Sequence, residues 1–159
     1  MSFIIGVDPG AGGAVAILER SGALVQVFDM PVVEVTVAGK AKRRMSPEML
    51  ASELRLYNVA DTVAVVEQVN AMPGQGVSSM FYFGQAYGVV LGVLAGLSIP
   101  ATTVTPASWK KALKLNSGKD AARAKAAQLW PSHAGEFKRV RDDGRAEAAL
   151  LAYYRKLHD

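Results

Sequence analysis

Four acidic residues stand where packing alone disfavours them: Asp8, Glu67, Asp143 and Glu147. Asp8 closes the apolar run Ile4-Ile5-Gly6-Val7, and Glu67 closes Val63-Ala64-Val65-Val66. Both runs read as buried strands, where a carboxylate is costly unless it is paired or bound to a cation. Taken alone, Asp8 also fits a residue capping its own Pro9-Gly10 turn. Two core strands that each end on an acid are not explained that way, because like charges at neighbouring strand ends repel and both are desolvated. Asp143 and Glu147 are four apart and share one helical face. That face runs on into Leu150 and Leu151, which turns Glu147 toward the core. Asp142 and Asp143 by themselves suit helix capping and the positive end of the helix dipole.

Four converging carboxylates form an oxygen cage suited to Mg²⁺ or Mn²⁺, with water and a substrate phosphate completing the shell. Two such ions, about 3.5–4 Å apart, activate a water and stabilise a leaving oxygen in an in-line phosphoryl displacement. Other chemistries find less support. The chain has no cysteine and two histidines, His133 and His158, which excludes disulfides and cysteine-based zinc sites. Neither a Ser/His/Asp arrangement nor a P-loop lysine motif is present.

The acids need a scaffold. Ile4 to Asp8 and Ala14 to Leu18 read as a hairpin, with Ala23 to Met30 as a third antiparallel strand. Val32 to Arg44 reads as an exposed loop or ragged hairpin extension carrying Lys40, Lys42, Arg43 and Arg44, a cationic run suited to phosphate. Ser46-Pro47-Glu48 opens a helix by capping, a proline at the first position and an acid in the first turn. Its buried face is expected to hold Met49, Leu50, Leu54 and Leu56. Thr62 to Glu67 reads as a central strand parallel to the first. A loop at Asn70 to Gly76 precedes a long helix, Ser78 to Leu97. Its small residues, among them Gly84, Gly88, Gly92 and Gly96, require a close neighbour, either within the subunit or across a dimer. Then follow a strand at Ala101 to Thr105, a short helix at Ala107 to Leu115, a turn at Lys114 to Lys119, a helix at Asp120 to Trp130, a loop at His133 to Val140, and a final helix at Asp142 to Leu157.

At 159 residues, half of them hydrophobic, the chain reads as one domain over 1–159. Residues 1–99 carry six Lys and Arg against eight Asp and Glu, net −2, whereas residues 100–159 carry twelve against six, net +6. A basic half beside an acidic cluster suits a polyanion such as nucleic acid. No signal peptide is visible, and the longest apolar stretch, Val89 to Leu97, is too short to span a membrane. A cytoplasmic location without membrane contact is expected.

The ordered motifs resemble the RuvC family of Holliday-junction resolvases, within the RNase H-like superfamily. Ile5-Gly6-Val7-Asp8-Pro9-Gly10 resembles the first-strand motif and Val65-Val66-Glu67-Gln68-Val69 the second acidic motif. Gly84-Gln85-Ala86-Tyr87-Gly88 resembles a following helix motif, Thr105-Pro106-Ala107-Ser108-Trp109-Lys110 the basic segment, and Ala146 to Ala152 the last acidic helix. The resemblance implies an α/β RNase H-like fold, with a central mixed five-stranded sheet flanked by helices. It implies paired symmetric nicks in four-way junctions, two Mg²⁺ per active site with Mn²⁺ substituting, and a homodimer. By resemblance Asp8, Glu67 and Glu147 are metal ligands and catalytic residues. The family's fourth acid lies three residues before the last, here Gly144; Asp143 is the nearest substitute and Asp142 the fallback. Lys110 matches a basic residue near the substrate; Lys111, Lys119 and Arg123 join it as phosphate contacts. Where many members carry an aromatic probe of the junction centre, this chain has Asn70. The short length and divergent motifs resemble the phage-encoded branch, which would act in the host-cell cytoplasm.

Three other readings share these features. A fork or flap nuclease of the same fold is the main alternative. A non-catalytic junction-binding module would not need the acids. An ATP-binding domain of the actin and sugar-kinase type opens with a similar Asp-Gly hairpin but needs a second phosphate loop and a longer chain.

Overall fold

The computed structural model describes residues 1–118 and 120–159, so Lys119 lies outside the described residues. Five strands form one mixed sheet in the order β3-β2-β1-β6-β7. Strands β1 (Phe3–Asp8), β2 (Ala14–Glu19) and β3 (Leu24–Asp29) form the antiparallel meander. Strand β6 (Val63–Glu67) runs parallel to β1, and β7 (Ala101–Val104) runs parallel to β6. The runs of β-branched residues do what their composition asks: β1 and β6 are covered on both faces, and Ile4, Ile5, Val7, Val65 and Val66 are buried.

Alternation along the strands divides the core in two. Phe3, Ile5, Val7, Ala64 and Val66 pack against α1 (Pro47–Arg55) and α2 (Val77–Gly96). Ile4 and Val65 pack with α3 (Pro106–Ala112), α4 (Ala121–Leu129) and α5 (Asp143–Leu157). Helix α5 lies directly on β1 at Gly6. A Cβ on Gly6 would run into the Ala148 carbonyl oxygen and come within 2.7 Å of the Ala152 nitrogen. Only glycine permits so close an approach.

Several expectations need correcting. The segment after Met30 is a regular two-stranded hairpin, β4 (Val32–Val37) with β5 (Lys40–Met45), paired from Val32–Met45 to Val37–Lys40. Its residues are mostly exposed, so no apolar alternation announces it. Helix α1 is capped by Ser46, which accepts from the Met49 amide, but only Leu50 and Leu54 are buried; Met49 and Leu56 are 49% and 70% exposed. The expected loop at 133–140 is largely 3-10 helix, Pro131–Phe137, followed by a second short turn at Val140–Asp142.

Helix α2 departs furthest. It buries only Ala86, Val90 and Leu94, a single row that ties it to the sheet. A Cβ at Gly84, Gly88, Gly92 or Gly96 would meet nothing within 4 Å, so the described residues of this subunit do not supply the expected neighbour. The helix is twenty residues long and contains an 18-residue window with a mean hydropathy of 1.4, long and apolar enough to cross a membrane by length and composition. The short apolar stretch identified in the sequence therefore understates it: glycines dilute hydropathy without ending the helix.

Candidate active site

Register and alternation place the first two acids. The last registered pair of the parallel β1–β6 ladder is Val7 with Val66, and one step further come Asp8 and Glu67. Asp8 shares its strand face with Ile4 and Gly6, and Glu67 shares its face with Val65. Both therefore point toward α5. The approach of α5 at Gly6 brings Glu147 over them. Ligand oxygens of Asp8, Glu67 and Glu147 all lie within 4.8 Å of one another, and each of the three residues is partly buried.

The turn after Asp8 is held by backbone geometry. The Gly13 amide donates to the Gly10 carbonyl at 3.1 Å, and Gly10 has φ +110°, outside the usual range for other residues. A Cβ on Gly13 would strike the Asp8 carbonyl.

Glu67 is fixed from behind. Trp109, fully buried on α3, donates its indole N–H to Glu67 Oε2 at 2.7 Å. The helix that carries it is set by Thr105, whose hydroxyl accepts from the Ser108 amide, and by Pro106 in its first turn. Lys110, the next residue, donates from Nζ to Glu147 Oε1 at 3.1 Å. The sequence identified Lys110 as a substrate contact; the structure puts it at the edge of the acid cluster. The role of Trp109 was missed, since a tryptophan on a short helix gives no signal beyond core packing.

Electrostatics follow from this crowding. Burial, then the nearby Glu147 and Glu67 carboxylates, pushes the Asp8 carboxyl well above the ordinary carboxylate value, with Lys110 offsetting part of it. Glu67 is also raised, mainly by burial, against the lowering effect of the Trp109 hydrogen bond. Three desolvated carboxylates held together in this way fit a hard divalent cation: the donors are all oxygen, and cation binding would relieve both repulsion and desolvation.

The other proposed acids are not brought to this group. Asp143 receives Arg123 Nε at 2.8 Å and is directed toward α4. Asp142 is buried beneath Arg139, which binds it through the guanidinium and through its backbone amide at 2.8 Å. The position facing Asp8 is Gly144, where a Cβ would lie 3.3 Å from Asp8 Oδ2 and 3.0 Å from the Gly12 carbonyl. Helix geometry explains the difference: residues three and four before Glu147 lie on opposite sides of its direction, and here only the third faces the cluster.

The basic residues divide similarly. Arg123 is spent internally: its side chain is 13% exposed and engages Asp120, Asp143 and the Lys138 carbonyl. Lys40, Lys42, Arg43 and Lys111 are exposed, with no ion pair among the described residues. Arg44 stacks on Tyr82 of α2, its guanidinium carbon 3.6 Å from the ring centroid. A cavity of about 520 Å³ opens there between β5 and α2, lined by Gly10, Arg43, Arg44, Tyr82 and Phe83.

With this geometry established, comparison with known proteins decides the family. The family model for the crossover junction endodeoxyribonuclease RuvC matches residues 4–129. The chain belongs to the RuvC family. Membership makes it a hydrolase acting on the phosphodiester bonds of DNA, in a family of junction resolvases. The match ends before α5, so Glu147 joins the site by geometry alone. RuvC of T. thermophilus in complex with a Holliday junction substrate is similar in fold at 16% identity and a TM-score of 0.63, covering 99% of this chain and 96% of that one. A second T. thermophilus RuvC structure is similar at 17% identity and a TM-score of 0.54, covering 98% and 96%. No curated protein matches the chain by sequence. The likeness to RuvC establishes the RNase H-like arrangement of a mixed five-stranded sheet flanked by helices.

Proposed function

We propose that the chain cleaves four-way DNA junctions by paired symmetric nicks, as one nuclease domain over residues 1–159 that acts as a homodimer. The observation that carries this reading is the meeting of Asp8, Glu67 and Glu147 within 4.8 Å at the ends of two adjacent parallel strands. These three residues would hold Mg²⁺, two ions per site, with Mn²⁺ substituting. Bound there, such ions supply Lewis-acid activation of a water and neutralise charge that develops on the phosphate. Asp8, closing β1 beside the other two acids, would be one of the ligands. Trp109 keeps Glu67 in one rotamer through its indole N–H. Lys110, released from Glu147 as substrate arrives, would present its ammonium to the phosphate. Lys40, Lys42, Arg43 and Lys111 supply sequence-independent phosphate contacts.

Dimerisation is supported by α2. Its exposed row of glycines, with Phe81 66% and Val77 87% exposed, forms an apolar face that this subunit leaves open. Two copies joined there would set two acid clusters about a two-fold axis, as paired nicks require. The same apolar face would then be buried by protein, consistent with action in the cytoplasm.

Asn70, in an exposed loop where many relatives carry an aromatic residue, favours one alternative: a broader nuclease that also cuts forks and flaps. A single assay distinguishes these. With Mg²⁺, symmetric nicks in a synthetic four-way junction, with Y-forks cut far more slowly, are expected. Asp8→Asn is expected to bind the junction without cutting it. Equal cutting of forks would establish the broader nuclease, and binding without cutting by the unaltered protein would establish a non-catalytic module.

A further inference from the structure

Four arginines from three separate parts of the chain meet beside the β1–β2 turn, in a pocket of about 370 Å³ that none of the three site acids lines. Arg43 comes from β5, Arg139 and Arg141 from the segment leading into α5, and Arg145 from α5 itself. The backbone of Ala11 to Gly13 forms another wall, and the single acid in the lining is Asp29. Converging guanidinium groups repel one another, so the arrangement must be held by other contacts. Two of the four are anchored. Arg145 is clamped by Asp29, Nε to Oδ1 at 2.7 Å, and by Glu136. Arg139 is clamped by the buried Asp142. The remaining two retain free donors. Arg43 reaches only the Ala11 carbonyl, at 3.5 Å, and exposed Arg141 has no hydrogen bond or ion pair among the described residues.

We propose that this pocket is an anion subsite that takes a backbone phosphate of the bound DNA, distinct from the phosphate at the acid cluster. The charges of the anchored pair, Arg139 and Arg145, are taken up by Asp142, Asp29 and Glu136, so this pair shapes the pocket wall, and the uncompensated positive charge is that of Arg43 and Arg141. The free pair, Arg43 and Arg141, supplies the planar forks that match phosphate oxygens. DNA is the source favoured over free phosphate because the pocket wall is the turn that begins at Asp8. A strand cut at the acids would pass this turn, and the pocket would fix its register relative to the cleaved bond. The inference therefore rests on the nuclease reading.

The test uses a four-way junction and the Asp8→Asn protein, in which binding is read without cutting. Arg43→Ala and Arg141→Ala, singly and together, are compared with Arg55→Ala, an exposed cation on α1. Loss of one phosphate contact should reduce the slope of log K against log salt by about 1, and the double variant should bind about tenfold more weakly near 0.1 M salt. Arg55→Ala should change neither. An unchanged slope and affinity in the double variant would overturn the subsite. If the unaltered protein fails to bind junctions at all, the nuclease reading fails instead. The pocket is then read directly by titrating inorganic phosphate and following arginine Nε–H signals by NMR. Shifts at Arg43 and Arg141 would support an anion site for free phosphate, and their absence would overturn the pocket itself.

Discussion

The indole N–H of Trp109 meets Glu67 Oε2 at 2.7 Å, joining a fully buried side chain to one of the three clustered acids. A hydrogen bond to a charged acceptor contributes about 1.5–3 kcal/mol, more than a neutral one. Trp109→Phe keeps most of the packing but removes this donor. The variant is expected to fold, to lose about 1–3 kcal/mol of stability, and to need more Mg²⁺ for half-maximal cleavage. A metal titration of cleavage alongside a denaturant melt checks this; an unchanged Mg²⁺ requirement would leave Trp109 a packing residue only.

The raised Asp8 carboxyl gives metal-free stability a definite dependence on pH. Between its ordinary value and its elevated folded value, the native state keeps a proton that the unfolded chain has released. Raising pH through that window therefore favours unfolding, and Glu67 acts in the same direction. Divalent cations bind the deprotonated form, so their stabilising effect grows as pH rises. Thermal melts in EDTA should show a midpoint held down toward neutral pH, with Mg²⁺ raising it more at pH 8 than at pH 5. Asp8→Asn should flatten the EDTA profile and raise the metal-free midpoint by about 2–4 °C per kcal/mol relieved.

Much of this site was legible in the sequence. The strands ending in Asp8 and Glu67 announced themselves by β-branched runs closing on acids, and the parallel pairing of β1 with β6 followed from burial on both faces. Glu147 was legible because it shares a face with Leu151. The structure does not bring Asp143 to the cluster, because a four-residue spacing fixes a helical face only to within about 40° and the neighbouring Arg123 decides where that carboxylate turns. The sequence left the β4–β5 segment open between a loop and a ragged hairpin extension, because exposed strands need no apolar alternation. The glycines of α2 signalled a close neighbour, but spacing cannot say whether that neighbour belongs to the same chain.

Gly144→Asp tests the position facing Asp8. A fourth carboxylate there would lie against Asp8 Oδ2, with the Gly12 carbonyl crowding its Cβ at 3.0 Å. Without metal the variant should be destabilised by about 1–3 kcal/mol through crowding and like-charge repulsion. Mg²⁺ should recover much of the loss. Melts with and without Mg²⁺ check this; a loss that Mg²⁺ does not reduce would mean the new carboxylate points away from the cluster.

Gly88→Glu tests the open face of α2. A side chain there meets nothing within 4 Å among the described residues, so the stability of the separated subunit should change by no more than about 0.5 kcal/mol, the range for surface changes. A charge buried in an apolar dimer interface should lower association by at least about 100-fold. Sedimentation velocity at micromolar concentration should then give a monomer where the unaltered protein gives a dimer. Equal sedimentation of the two proteins would remove α2 from the interface.

The close passage of α5 over Gly6 has a consequence for how the chain matures. The three clustered acids stand at positions 8, 67 and 147, so no local segment contains two of them. They gather only after β6 has joined β1 and α5 has closed over Gly6, contacts that span much of the chain and form slowly for that reason. A nascent or misfolded molecule therefore lacks the assembled acid cluster, which forms only with the completed tertiary structure.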